Sequence, residues 1–455
     1  MRAAGALLMP ALLVGCSSLF PSCHTQAAPA GRPPRPDARP AEASLAPAPL
    51  PAPPFESPFA LGINEAVSVP QRLALTMPAS DQALRLTASA QLAASVGARL
   101  VRGHTGNYPA ISAWALQQNP GALGAADAWV TAVEAAGLEP VLMVSPWPGN
   151  DTAKYAQAYV PADMAAYAAY VTAVVERYDG DGVGDMPGLL RGVRYWEVDN
   201  EPDLKNSLVG KGASADYDPK TFCTPAEYAQ VFLASAKAIK AASPTAKVLN
   251  GGLYRPHSTL GAAYFRDFVT VHGVLDAIDI VSVHTYHDDL DGDRLAAGIR
   301  NERYYAPQKP VWVTETSVGT TDDIDEAAQA RMVVTDAART ALEGADKMFW
   351  HTLSDPPPSD FTRRMPMFGH SLFQLDADDN RTIKPVGQVY QHLAAFLAAH
   401  DLNGCVPDGT GAVKLRDGSV LLYDGSRTVT NVGGDLRTGA ALVGGQTATG
   451  PAWLQ

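Results

Sequence analysis

The chain has 455 residues, of which 46% are hydrophobic, and it carries a formal net charge of −12. This length suits one large α/β barrel with a small appendage, or two to three ordinary domains. The negative charge and the lack of any Lys/Arg cluster argue against a nucleic-acid partner, and they give no evidence for an acidic substrate.

The N-terminus has the layout of an export signal, because Arg2 precedes an apolar run, Ala3–Val14, that is too short to span a bilayer. The stretch Leu13-Val14-Gly15-Cys16 resembles the lipobox of bacterial lipoproteins, in which the cysteine is acylated and begins the mature chain. No aspartate follows the cysteine, which resembles outer-membrane sorting. We therefore expect a signal peptide over residues 1–15, lipidation at Cys16 and a place in the bacterial cell envelope. An ordinary signal peptide cleaved nearby is the alternative.

A Pro- and Ala-rich stretch follows the signal, as in Pro51-Ala52-Pro53-Pro54, and it lacks the apolar periodicity of a core. We interpret residues 16–57 as an extended tether. The lipid anchor at its start is the only membrane contact that we expect.

Eight short apolar runs with β-prone residues follow the tether and alternate with helical segments. The strands are predicted at Phe59–Asn64, Ala98–His104, Glu139–Ser145, Val193–Val198, Lys247–Gly252, Ile278–His284, Val311–Glu315 and Lys347–His351. Such alternation implies parallel pairing, and eight repeats imply a closed (β/α)8 TIM barrel of the α/β class over residues 58–400. An open doubly wound sheet is the alternative, although no glycine-rich phosphate loop follows the first strand.

Six helices are predicted from the same pattern, with start and stop signals at several ends. They are Asp81–Val96, Gly124–Ala136, Ala162–Tyr178, Thr224–Ala242, Asp325–Leu342 and Gly387–Ala399. The fourth begins Thr-Pro-Ala-Glu, which is a capping box with proline at the first helical position.

The C-terminal residues 401–455 differ in character from the barrel. The run 413–422 predicts a hairpin around Asp417-Gly418, and Arg427–Val432 predicts another short strand. We interpret this region as a small β appendage on the barrel.

Polar residues collect where the predicted strands end. Arg102 and His104 end the second strand, Asn200 and Glu201 follow the fourth, and the sixth, seventh and eighth contribute His284, Tyr286, Glu315 and Trp350. In a parallel barrel all of these positions lie at the C-terminal face, where barrel enzymes hold their chemistry. Two opposed carboxylates are the catalytic pair of a glycosidase.

This set, and above all Asn200-Glu201-Pro202 with Thr314-Glu315, resembles glycoside hydrolase clan A, the retaining glycosidases built on (β/α)8 barrels, and most of all its families 39 and 5. The resemblance implies Glu201 as general acid/base and Glu315 as nucleophile. It further implies that several other residues bind the substrate or position the catalytic groups, and that Trp350 forms the platform under the sugar. These residues are Arg102, Asn200, His284, Tyr286 and Trp350. His104 is a substrate-binding candidate from its place at the end of the second strand, and Trp147, just past the third strand, is a weaker stacking candidate.

Two departures from the clan are visible. Asp199 stands two residues before Glu201, where relatives often carry an aromatic or small residue, and the C-terminal β region is shorter than that of many family 39 members. The clan needs no cofactor and no metal, and we expect none. The run Asp179–Asp185 is vaguely similar to a calcium loop but lacks the later bidentate glutamate, so we interpret it as a connecting turn.

Two cysteines, Cys223 and Cys405, remain in the folded part of a protein that we expect in an oxidising compartment. A disulfide between them is possible but undecided, since sequence does not give their separation.

The leading hypothesis is a monomeric, lipid-anchored retaining glycosidase acting on a β-linked oligo- or polysaccharide. A transglycosylase with the same carboxylates is one alternative, and a non-catalytic carbohydrate-binding lipoprotein is another.

Overall fold

A computed structural model gives the three-dimensional structure of the chain. It describes residues 54–64, 79–103, 123–146, 159–203, 223–287, 290, 292–321, 324–355, 369–376 and 380–455. The described residues all belong to one compact unit that extends to Gln455, so the β-rich C-terminal region does not separate from the barrel.

Eight parallel strands form the central sheet, and all eight coincide with predicted ones. They are β1 (Ala60–Asn64), β2 (Leu100–Arg102), β3 (Glu139–Val144), β4 (Tyr195–Val198), β5 (Lys247–Asn250), β6 (Val281–Tyr286), β7 (Val311–Ser317) and β8 (Lys347–His351).

The sheet closes on itself. Its order is β5-β4-β3-β2-β1-β8-β7-β6, and single parallel bridges from Leu249 to Ile280 and from Leu253 to Val283 join the two outer strands. The TIM-barrel prediction is therefore confirmed, and the open doubly wound alternative is wrong.

Eight helices surround the strands in the described part of the chain. They are α1 (Ala79–Ser95), α2 (Leu123–Ala135), α3 (Met164–Tyr178), α4 (Pro225–Ala242), α5 (Thr259–Arg266), α6 (Asp293–Tyr305), α7 (Glu326–Leu342) and α8 (Pro385–Leu397). Six were predicted within a few residues, whereas α5 and α6 were not. None of the helices in these ranges is both long enough and apolar enough to cross a bilayer.

Local capping explains where α4 begins. The Thr224 hydroxyl accepts from the amide of Glu227 at 3.2 Å, and the Glu227 carboxylate accepts from the amide of Thr224 at 2.8 Å. Pro225 occupies the first turn, where its missing N–H costs nothing. The predicted capping box is confirmed.

Strand alternation divides the core into two layers. Seven buried side chains fill the barrel interior, and Ala60 of β1 packs against them. Six lie on strands and Ile280 lies immediately before β6: Leu100, Val141, Tyr195, Leu249, Ile280, Trp312 and Phe349. The neighbouring residues on each strand point outward and pack on the helices in a much larger cluster. The interior is thus a packed core that leaves only the strand ends for chemistry.

The end of the barrel opposite those strand ends is closed by the last residues of the predicted tether. Lys347 donates to the carbonyl of Pro58 at 2.9 Å, and the Asp346 carboxylate accepts from the amides of Glu56 and Ser57 at 2.9 and 3.2 Å. Residues 56 and 57 therefore pack against the barrel.

The C-terminal region is a set of short antiparallel strands. The predicted hairpin is present as β13 (Ala412–Lys414) and β14 (Val420–Leu422), which lie in a six-stranded sheet. The single strand expected at Arg427–Val432 is two strands, β15 (Ser426–Thr428) and β16 (Val432–Asp435). The remaining strands are β9 (Ser354–Asp355), β10 (Phe373–Leu375), β11 (Arg381–Ile383), β12 (Val406–Pro407), β17 (Ala441–Val443), β18 (Thr447–Thr449) and β19 (Ala452–Leu454).

The barrel interior predicts one sensitive position. Gly62 on β1 pairs with Phe349 on β8, and a Cβ at Gly62 would lie 2.5 Å from the Phe349 ring. Because that ring is fully buried, Gly62→Ala should lower the free energy of unfolding by about 1–3 kcal/mol, measured by urea denaturation. The same change in a Phe349→Leu background should cost less. An equal cost in both backgrounds would contradict the packing explanation.

Candidate active site

Two buried glutamates face each other at the C-terminal ends of the strands. Glu315 lies within β7 and Glu201 lies three residues beyond β4. One oxygen from each carboxylate and one nitrogen of His284 all lie within 4.8 Å of one another. Glu201 is 7% exposed and Glu315 is 4% exposed, so their interaction is weakly screened by water.

An unusual backbone brings Glu201 to this position. Asp199 and Glu201 both have positive φ angles, 65° and 44°, in a backbone region that residues other than glycine rarely adopt. The Asp199 amide donates to Val144 at 2.7 Å and the Glu201 amide donates to Gly252 at 3.1 Å, so neighbouring strands hold this turn in place. Backbone strain of this kind persists where the surrounding structure over-determines it, often at functional sites.

The side chain of Asp199 anchors the same turn from below. Its carboxylate accepts from Ser145 at 3.1 Å and from the Tyr159 hydroxyl at 2.7 Å. Burial, together with the charge of Asp199, raises the pKa of Tyr159 well above its usual value, so this phenol remains a donor. The aspartate that departs from the clan pattern is thus buried and supports the Glu201 backbone.

A fully buried arginine organises the other side of the site. Arg102 donates from Nη1 to Glu315 at 2.6 Å and to Asn64 at 3.0 Å, from Nη2 to Asn200 at 2.7 Å, and from Nε to Glu197. Burial alone lowers the pKa of a guanidinium, but the adjacent carboxylates outweigh it and the pKa of Arg102 is raised. The cation on β2 is therefore bonded to side chains on or just beyond three other strands, β1, β4 and β7.

Glu197 is a third carboxylate, which the sequence interpretation did not include. Besides Arg102, it accepts from the Ser282 hydroxyl at 2.7 Å and from the Gly252 amide at 3.3 Å. It lies on β4 facing the barrel interior and is fully buried. Its carboxylate therefore has hydrogen-bond donors from the protein in place of water, and it fixes the Nε edge of the Arg102 guanidinium.

Each oxygen of Glu315 has a strong donor. Arg102 serves Oε1, and the Tyr286 hydroxyl donates to Oε2 at 2.6 Å. The Nδ1 atom of His284 lies 3.1 Å from Glu201 and 3.7 Å from Glu315, between the two carboxylates. Gly252 makes room for this imidazole, since a Cβ there would lie 2.1 Å from the ring.

The structure brings together six of the predicted site residues: Arg102, Asn200, Glu201, His284, Tyr286 and Glu315. His104, Trp147 and Cys16 lie outside the described residues, so their expected roles stay predictions.

Trp350 does not line the site, and its predicted role as a sugar platform is wrong. Its side chain is 0% exposed, packs in the outer core, and donates from Nε1 to the carbonyl of His370 at 2.8 Å. The reason is strand alternation: Phe349 points into the barrel, so Trp350 points toward the helices and His351 points inward again.

Cys223 and Cys405 are both buried thiols, and the disulfide that the sequence left undecided does not join them. Cys223 contacts the Tyr264 hydroxyl at 3.5 Å, just before α4. Cys405 lies beyond α8, where burial raises its pKa to about 12 and keeps the thiol protonated.

Two groups of carboxylate or imidazole side chains are close enough to hold a metal ion in the described part of the chain. One is Glu201, His284 and Glu315 itself. The other is Asp179, Asp181 and Asp185, whose carboxylates already accept backbone amides of their own turn, as a connecting turn requires.

Residues 191–359, which run from just before β4 to beyond β8, match the sequence family described as the glycosyl hydrolase catalytic core. A search of curated proteins finds no match. Together with the barrel, the family match identifies the protein as a glycosidase, a hydrolase of O-glycosyl bonds.

Three solved structures that share the fold have low sequence identity to this chain. A family 39 glycoside hydrolase from Bacteroides cellulosilyticus WH2 is 14% identical, with 87% of this chain and 80% of that chain covered and a TM-score of 0.58. A glucosidase from Croceicoccus marinus is 17% identical, with coverages of 85% and 81% and a TM-score of 0.53. A family 1 β-glucosidase from Thermotoga maritima is 12% identical, with coverages of 75% and 98% and a TM-score of 0.52. At these identities the comparisons establish the fold alone.

The loop beyond Glu201 predicts a pH-dependent stability. Burial raises the pKa of Asp203 to about 6, although its carboxylate accepts from the amide of Tyr254 at 2.9 Å. Between pH 4 and 6 the folded state therefore holds more protons than the unfolded state. The Asp203 carboxyl thus lowers the free energy of unfolding as pH rises through this range, and the loss is complete above pH 6.

Asp203→Asn should accordingly raise the free energy of unfolding at pH 7.5, by at most about 3 kcal/mol, and the gain should shrink as pH falls from 6 toward 4. Urea denaturation at several pH values measures this, with the exposed Asp276→Asn as control. A gain that is equal at every pH would show that the carboxyl charge is not its cause.

Proposed function

We propose that this glycosidase cleaves a β-linked oligo- or polysaccharide with retention of configuration, with Glu315 as nucleophile and Glu201 as general acid/base. The observation that carries the proposal is that one oxygen of Glu201 and one oxygen of Glu315 lie within 4.8 Å of each other. Retaining enzymes hold their carboxyl groups about 5–5.5 Å apart, whereas inverting enzymes need about 6.5–9.5 Å to admit a water.

The donors around Glu315, and the charge of Glu315 beside Glu201, support this division of roles. Glu315 accepts from a guanidinium and a phenol, both at 2.6 Å, and such donors favour the ionised form that a nucleophile requires. The negative charge of Glu315 close by disfavours ionisation of Glu201, which favours the protonated form that a general acid requires.

The reaction then follows in two displacements. An oxygen of Glu315 attacks the anomeric carbon, the glycosidic C–O bond breaks, and the proton of Glu201 passes to the leaving oxygen. The glycosyl ester has removed the charge from Glu315, so Glu201 is now stable as a carboxylate. It takes a proton from water, the hydroxide adds to the anomeric carbon, and the Glu315 carboxylate leaves.

Asn200 has a fixed orientation that suits sugar binding. Its Oδ1 accepts from Arg102, which is always a donor, so its Nδ2 amide protons are directed elsewhere. We assign this amide to the 2-hydroxyl of the sugar, where a hydrogen bond strengthens as the transition state forms.

The roles of the two glutamates are separable by kinetics. Glu315→Ala should abolish turnover of substrates with natural leaving groups. Glu201→Ala should slow them about 10²- to 10⁴-fold while sparing the first step of aryl glycosides whose leaving group needs no proton, so that a covalent intermediate accumulates and added azide speeds its release. The exposed Glu326→Gln serves as control and should match the wild type.

The anomeric configuration of the first product, followed by NMR on a panel of defined β-linked oligosaccharides, decides the mechanism. A retained configuration is expected, and an inverted product would remove Glu315 from the nucleophile role. Products longer than the substrate would identify sugar, and not water, as the preferred acceptor, which is the transglycosylase alternative.

We further propose that the protein is an outer-membrane lipoprotein anchored through Cys16. Support comes from the sequence, where an apolar run too short to span a bilayer ends at the lipobox-like Leu13–Cys16. Stable attachment to a membrane needs more than one acyl chain, and cleavage before the cysteine followed by acylation would supply them.

Cys16→Ser should therefore leave an uncleaved or mislocalised chain that takes up no labelled palmitate. Cys23→Ser, in the same N-terminal segment, is the matched control and should be processed and labelled normally. Normal processing and release of the Cys16→Ser protein, with an unlabelled wild type, would refute the anchor.

A further inference from the structure

His351 occupies the place at the mouth of the barrel that the sequence interpretation gave to Trp350. It is the last residue of β8, it pairs with Asn64 of β1, and the alternation of the strand directs it inward above Phe349. Unlike Trp350, it is only partly buried. A polar ring therefore stands at the end of β8 where a stacking surface was expected.

A chain of hydrogen bonds fixes which nitrogen of this ring carries the proton. Arg102 can only donate, so the Asn64 oxygen that lies 3.0 Å from Nη1 is the acceptor and the amide orientation is settled. The Asn64 Nδ2 group then faces the Nδ1 atom of His351 at 3.1 Å and donates to it. In the neutral ring the proton is consequently on Nε2, which leaves an N–H donor on the far side of the ring.

The ring lies beside the reacting centre. It meets the Tyr286 ring edge to face with centroids 5.5 Å apart, and the Tyr286 hydroxyl is the donor to Glu315. The ring of His370 neighbours both, with its centroid 6.3 Å from that of His351 and 5.9 Å from that of Tyr286, and its Nδ1 is bonded to Ser317 at 2.8 Å. A sugar positioned for attack by Glu315 therefore lies within reach of the partly exposed edge of His351.

We propose that His351 is a specificity-determining residue that presents Nε2–H to an oxygen of the sugar bound at the cleavage point. The proposal rests on the proposed function and deepens it. The substrate class that fits is a sugar carrying a hydroxyl or other acceptor oxygen on the side that faces β8. A sugar with only hydrogen atoms on that side leaves the donor without its partner and is disfavoured.

The test uses 4-nitrophenyl β-glycosides, beginning with the glucoside, galactoside, mannoside and xyloside. The best substrate among them is then compared with its single-deoxy derivatives, by kcat/KM, in the wild type and in His351→Phe and His351→Gln. Glutamine can place its amide N–H where Nε2 stands, whereas phenylalanine keeps a ring without a donor.

Removal of one particular hydroxyl should cost the wild type about three- to tenfold in kcat/KM, cost His351→Gln a similar factor, and cost His351→Phe nothing further. Equal losses for every derivative in all three proteins would show that His351 only supports the fold, and would overturn the proposal. Failure of the catalytic assignment is recognised separately, because it would appear as turnover that survives Glu315→Ala.

A spectroscopic measurement tests the tautomer without relying on activity. Long-range ¹H–¹⁵N spectra of protein labelled at histidine should show protonation of the His351 ring at Nε2, and Asn64→Asp should move the proton to Nδ1 because aspartate only accepts. A wild-type ring protonated at Nδ1 would overturn the proposal.

Discussion

The site depends on a single cation held inside the barrel. Arg102 is fully buried, and its guanidinium reaches side chains on β1, beyond β4 and on β7 as well as Glu197 within β4. A buried charge is tolerated only when it is paired and its donors are satisfied, and here two carboxylates and two amides do so. The same contacts that keep the charge in place fix the orientation of the Asn64 and Asn200 amides.

The two candidate glutamates are held in different ways, and the difference matches what each is proposed to do. Glu315 belongs to a strand and is fixed by Arg102 and Tyr286, which suits a group that must attack along one line. Glu201 stands on a turn with positive φ angles, tied by backbone bonds to β3 and to Gly252. The turn lifts its carboxyl above the strand end, where a leaving group and then a water would have to pass.

The fold was predictable because strands and helices alternate with ordinary signals, and the capping box at Thr224 is one example. The site was predictable where a residue's position at a strand end was enough, as for Glu315 and Tyr286. The prediction failed at β8, because Trp350 was chosen for its residue type and not for the face of the strand on which its side chain lies. Glu197 was missed for the same reason: counting by two from the interior residue Tyr195 directs it into the barrel beneath the site.

The alternation of side chains along β8 also decides whether the wall of the site at that strand is apolar or polar, which residue types alone do not show. The Trp350 side chain points outward and donates a hydrogen bond to the carbonyl of His370, so its apolar ring is part of the core and does not line the site. His351 then gives that wall a donor whose direction is inherited from Arg102 through Asn64. The cation that favours the ionised form of the proposed nucleophile therefore also orients the group proposed to select the sugar. Catalytic charge and substrate choice would be coupled through one guanidinium.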